Sequence, residues 1–100
     1  MAKVIHVVLF RWNEDARQDQ IDAAFGALRQ LPDLIPGIVE LTCGPNFTDR
    51  SQGYQAGVVV RFVNRAALEA YLPHPDHVAA VRDYINPIRA ASLALDYEVP

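Results

Sequence analysis

Cysteine occurs once in this chain, at Cys43, so neither a disulfide framework nor a cysteine-based zinc site can be built within it. A solitary cysteine is more often a small hydrophobe than a nucleophile. Basic clusters are missing as well, and with a formal charge of −3 this argues against a nucleic-acid surface, which would carry a basic stripe. The apolar run near the N-terminus is too short to span a bilayer, is interrupted by His6, and leads into no small-residue cleavage site. The expected location is therefore cytoplasmic, with no membrane and no nucleic acid among its partners. There is no internal repeat, low-complexity tract or linker. One hundred residues, 51% of them hydrophobic, suit a single domain over residues 1–100 and are too few for two.

Residues 3–12 are rich in Val, Ile and aromatics and read as a strand. Val4, His6, Val8, Phe10 and Trp12 share one face, and Ile5, Val7, Leu9 and Arg11 the other. Both faces are mostly apolar, the pattern of a strand covered on both sides. Asp15 with Gln18 resembles a capping box. Ile21, Phe25, Leu28 and Leu31 then mark the buried stripe of a helix, which Pro32 is expected to end. Pro36-Gly37 makes a turn, and residues 38–43 alternate as a second strand until Gly44-Pro45-Asn46 breaks it. A third strand runs through residues 54–63, with Val58, Val60 and Phe62 on one face. Asn64 caps a short helix holding Ala67, Leu68 and Tyr71 inward. Val78, Val81, Ile85 and Ile88 trace another helical stripe that Pro87 should kink or end. The last strand, residues 92–99, alternates Leu93, Leu95, Tyr97 and Val99 with Ala94, Asp96 and Glu98.

The order is β-α-β-β-α-β with its second helix broken in two, a ferredoxin-like α+β pattern with a four-stranded antiparallel sheet. Helices cover one face of such a sheet, yet strand one is apolar on both. A second copy packed sheet against sheet supplies the missing cover, giving a homodimer around a dimeric α/β barrel.

The densest chemistry lies in Tyr71-Leu72-Pro73-His74-Pro75-Asp76-His77. Pro73 ends the helix before it and Pro75 opens the next, so Tyr71 and His77 face each other across a rigid corner. A helix N-terminus favours a neutral His77, and Asp76 opposes that. The pair can be a proton-transfer site or a helix-capping corner, and geometry decides between them. His6, alone on an apolar face, reads as a hydrogen-bonded core residue unless it shares a cavity with Tyr71 and His77. His74, Asp76 and His77 read poorly as a zinc site, because Pro75 limits how the ligands can converge. His74 reads as a cap or surface residue. Arg11 and Arg61 read as rim residues paired with carboxylates.

The opening strand Ile5-His6-Val7-Val8-Leu9-Phe10, Ile35-Pro36-Gly37, Gly44-Pro45-Asn46, Gly53-Tyr54, residues 67–77 and the closing Asp96-Tyr97 resemble the stress-responsive dimeric α/β-barrel (Dabb) family. The likeness covers nearly the whole chain, and its His-Pro-x-His corner is the most specific part. It implies a ferredoxin-like subunit pairing into a barrel. One member, the plant polyketide cyclase that makes olivetolic acid, performs an aldol condensation without cofactor. By that resemblance its catalytic pair falls on Tyr71 and His77, and a pocket histidine on His6. Its pocket, between sheet and helices, would be lined here by Val8, Phe10, Leu28, Val58, Val60, Leu68, Ile88 and Leu93. Leu28 and Ile88 depart from the cyclase, which has an aromatic residue and a tryptophan there. Three readings stay open: a protein with an apolar pocket for a small apolar or aromatic molecule, with or without cofactor-free proton transfer; a stress-associated structural dimer; and a relative of dimeric-barrel monooxygenases.

Overall fold

The computed structural model describes residues 2–100, and they form the expected ferredoxin-like subunit. Strand β1 (Lys3–Trp12) leads to helix α1 (Gln18–Arg29), the short α2 (Leu31–Leu34), and strands β2 (Ile38–Pro45) and β3 (Ala56–Phe62). Helices α3 (Arg65–Tyr71) and α4 (Pro75–Ala80) follow, then a π-helical turn (Val81–Ile85) and strand β4 (Arg89–Val99). The sheet is antiparallel throughout, in the order β2-β3-β1-β4.

The helices cover one face of the sheet. Val4, Phe10 and Trp12 of β1 and Val58, Val60 and Phe62 of β3 are buried beneath them, joined by Phe25, Leu28, Leu31, Ile35, Ile85 and Ile88. Trp12 closes one end of this core, stacked on Phe10 at 5.4 Å and edge-on to Phe25. The opposite face carries Val7 flanked by Val59 and Leu95, and Leu9 flanked by Gly57 and Leu93. There Val59, Leu93, Leu95 and Tyr97 stand 41–53% exposed, a continuous apolar surface without a helix over it.

Several boundaries depart from the sequence reading. Helix α1 starts after Arg17 rather than at Asp15: the Arg17 amide donates to the Gln20 side chain at 2.9 Å, the reciprocal half of a capping box, while an arginine side chain has nothing to accept with. Pro32 does not end the helix. The break falls at Gln30, and Pro32 sits in the first turn of α2, where a missing amide proton costs no helical bond. Strand β2 runs on through Pro45, β3 starts at Ala56, and β4 starts at Arg89 rather than at residue 92. An ion pair joins Arg65 to Glu98, bridging α3 and β4.

Gly37 carries the turn before β2 at a φ of +92°, a region that glycine enters at little cost and other residues rarely adopt. The turn presses directly on α3: a Cβ at position 37 would lie 2.7 Å from the Ala67 Cβ.

Candidate functional site

The proline corner forms as its composition dictates. Asn64 accepts the Ala67 amide at 2.9 Å and starts α3, and His74 caps α4 by accepting the Asp76 amide on Nδ1 at 3.1 Å. Pro75 occupies the first turn of α4. This geometry leaves Tyr71 as the last residue of one helix and brings His77, in the next, back over it. Their ring centroids lie 4.1 Å apart at a tilt of 33°.

Tyr71 is buried, packed edge-on against Phe62 at 5.0 Å and against His6 at 6.0 Å. Burial raises the pKa of its phenol, so the hydroxyl stays protonated. His77 meets Tyr71 through its ring face, while its Nδ1 lies 3.0 Å from the Leu72 carbonyl. A carbonyl can only accept, so Nδ1 carries the proton and Nε2 of the neutral ring keeps its lone pair. Burial is the main cause lowering the His77 pKa, and the nearby imidazoles His6 and His74 lower it further, against the Leu72 carbonyl. The neutral ring thus follows from desolvation.

His6 is 7% exposed and sits directly across from Asp96 in the β1–β4 register. Its Nδ1 lies 2.5 Å from the Asp96 carboxylate. Asp96 is a partner that the sequence pattern of β4 does not single out, and Leu93 is the residue of that strand expected in the pocket. The register exchanges the two. Leu93 pairs with Leu9 on the helix-free face, so it cannot line a space between sheet and helices, whereas Asp96 turns toward the helices.

The expected pocket lining divides in three. Phe10, Leu28, Val58, Val60 and Ile88 are 6% exposed or less and pack together as core, filling the space expected between them. Val8 and Leu68 are partly buried at the core's margin. Leu93 lies on the other face. An open cleft of about 350 Å³ runs between α3 and β4, lined by Val4, Leu68, Tyr97 and Asp96 and crossed by the Arg65–Glu98 pair. The carboxylate that holds His6 therefore shows in the wall of this cleft. Among the described residues no group of three His, Cys, Asp or Glu is arranged to hold a metal ion. No helix among them is long and apolar enough to cross a membrane.

Comparison with known proteins agrees with this architecture. Residues 4–99 match the family model described as the stress responsive A/B barrel domain. A stress-response A/B barrel domain-containing protein of Arabidopsis thaliana is 22% identical over 98 residues, 97% of this chain; the chain spans 37% of that protein's length. The crystal structure of a dimeric ferredoxin-like protein of unknown function from Thermobifida fusca is 31% identical, covers 98% of this chain and 92% of its own, and superposes with a TM-score of 0.86. A hydroxynitrile lyase from Passiflora edulis shares the fold at a TM-score of 0.88 and 20% identity, over 98% of this chain and 94% of its own.

Proposed function

The chain belongs to the stress-responsive A/B barrel domain family, and from that premise we propose a homodimer that binds a small apolar or aromatic molecule bearing a carbonyl or phenol beside His6, Tyr71 and His77. The apolar, helix-free sheet face supports the dimer, as does the 31% identical neighbour described as dimeric. Packing two such faces would bury on the order of 2,000 Å² in total, the range of permanent dimers.

The observation that carries the ligand reading is the His6–Asp96 pair at 2.5 Å, next to a Tyr71 that also stacks on His77. In an uncharged state each imidazole has its Nδ1 proton engaged and its Nε2 free to accept one. The protonated phenol of Tyr71 is a hydrogen-bond donor for oxygen charge. Together these groups suit removal of a proton next to a carbonyl and stabilisation of the enolate that results, chemistry of the aldol or lyase type that needs no cofactor. Tyr71 and His77 would be the reacting pair and His6 a substrate-binding group. The ligand would approach through the cleft beside Val4, Leu68 and Asp96, with Val8 at the margin, rather than through the filled core. A hydroxynitrile lyase on the same scaffold is compatible with this, although a shared fold does not fix a reaction.

A second reading has its own support. His77 bonded to Leu72 closes the proline corner, and the packed core leaves little room between sheet and helices. On that reading the corner is architectural, and the dimer is a structural, stress-associated unit without turnover.

Nuclear magnetic resonance of the histidine rings separates the two. Titration with an alkylresorcinol or an aromatic β-diketone should shift His6 and His77 saturably, and His6→Ala should abolish the effect while the fold persists. Rings that do not respond to any such compound would leave the architectural reading standing.

A further inference from the structure

Phe47 is 93% exposed, whereas no other large apolar side chain among the described residues exceeds 53%. It projects from the loop of residues 46–55, which joins β2 to β3 beside the helix-free sheet face. That loop is not loose. The Asn46 side chain donates to the Thr48 carbonyl at 2.6 Å and to the Ser51 hydroxyl at 3.1 Å, and accepts the Thr48 amide at 3.3 Å. Ser51 donates to the Tyr54 carbonyl at 2.6 Å, and the Asn46 amide donates to the Gln55 carbonyl at 2.8 Å. Phe47 is therefore carried outward on a frame whose conformation is already set.

At the root of the loop lies a hollow of about 280 Å³ lined by Leu9, Pro45, Tyr54, Ala56 and Gly57. Leu9 and Gly57 belong to the apolar sheet face. Phe47 stands at the rim of this hollow, its ring in solvent, so the hollow, which Asn46, Thr48 and Ser51 also line, sets the exposed ring beside the margin of the apolar sheet face at Leu9 and Gly57. A preordered aromatic next to a flat apolar face has the properties of an interface anchor, because little freedom is lost when it docks.

We propose that Phe47 is an inter-subunit anchor that seats on the sheet face of a second copy of this chain. The proposal rests on the dimer reading above and names the residue that would hold the dimer at its margin. Two-fold symmetry makes the contact reciprocal: each subunit gives one ring and receives one.

The test is sedimentation of the full chain and of Phe47→Ala over a dilution series, with far-ultraviolet circular dichroism to check folding. Truncating a ring already in solvent should leave the subunit folded, and the dimer dissociation constant should rise about 10- to 100-fold. In parallel, p-benzoylphenylalanine at position 47, in a mixture of isotopically labelled and unlabelled chains, should cross-link between chains and onto the partner's β1 or β4. A folded variant that dimerises as tightly as the parent, or cross-links confined within one chain, would overturn the anchor and leave the dimer intact. A parent protein that stays monomeric at every concentration would overturn both.

Discussion

Tyr71 and His77, six positions apart across two prolines, lie ring on ring at 4.1 Å, and the same imidazole donates to the Leu72 carbonyl at 3.0 Å. One side chain thus closes the corner and holds Tyr71 in place. Removing it should cost stability before it affects anything else. We expect His77→Ala to lower the unfolding free energy by about 1–2 kcal/mol, from the lost hydrogen bond and ring contact. Urea denaturation measures it, and a loss under about 0.5 kcal/mol would mean that the corner is held by its prolines alone.

The same residue predicts a pH dependence. The folded state holds the His77 pKa below its ordinary value, so the unfolded chain binds that proton more readily. Stability from this group is complete above the unfolded pKa of about 6.5 and declines as the pH falls through the lower folded value. Denaturation midpoints across this range should fall with pH in the parent and flatten in His77→Ala. Parallel curves for the two proteins would assign the slope to other groups.

Tyr71 supplies the opposite sign at high pH. Its phenol is held protonated by burial, so the unfolded chain releases that proton first. Stability should fall as the pH rises past the unfolded value of about 10. In an ultraviolet titration of the four tyrosines, Tyr71 should ionise last, and Tyr71→Phe should remove that late component.

Asp96 anchors a buried ring, and its two nearest substitutions should differ. Asp96→Ala leaves the His6 Nδ1 donor without its acceptor, a loss of about 1–3 kcal/mol. Asp96→Asn keeps an acceptor oxygen and should cost less. Nitrogen-15 shifts of His6 should keep the Nδ1–H tautomer in the asparagine variant and lose that preference in the alanine variant. Equal stability of all three proteins would show that the bond does not hold the ring.

Leu95 sits at the middle of the apolar sheet face, opposite Val7. A charge there cannot be desolvated cheaply between two packed sheets. Leu95→Glu should give a folded monomer at concentrations where the parent sediments as a dimer; a charged variant that still dimerises would remove this face from the interface.

The fold was legible because two periods agree along most of the chain. The alternation of β3 and the stripe of Ile21, Phe25 and Leu28 each admit one arrangement, and the caps at Asn64 and His74 are local chemistry. Strand β4 was harder to orient. It lies at the edge of the sheet, and both of its stripes have something to satisfy: Leu93, Leu95 and Tyr97 an uncovered apolar face, Asp96 and Glu98 a histidine and an arginine. Its orientation follows from the β1–β4 register. A charged stripe alternating with an apolar one, on a strand expected beside a second copy, was the available hint. The π-helical turn was hidden for a related reason. It absorbs one residue while keeping Ile85 and Ile88 buried, so the apolar stripe continues as though the helix were regular.

Gly37 ties the far edge of the sheet to the aromatic corner. Its bare Cα is where the β2 turn leans on Ala67, one helical turn ahead of Tyr71. Any side chain at that point would act as a wedge against α3, the helix that carries Tyr71. A lesion in the β2 turn would then look like damage to the tyrosine itself.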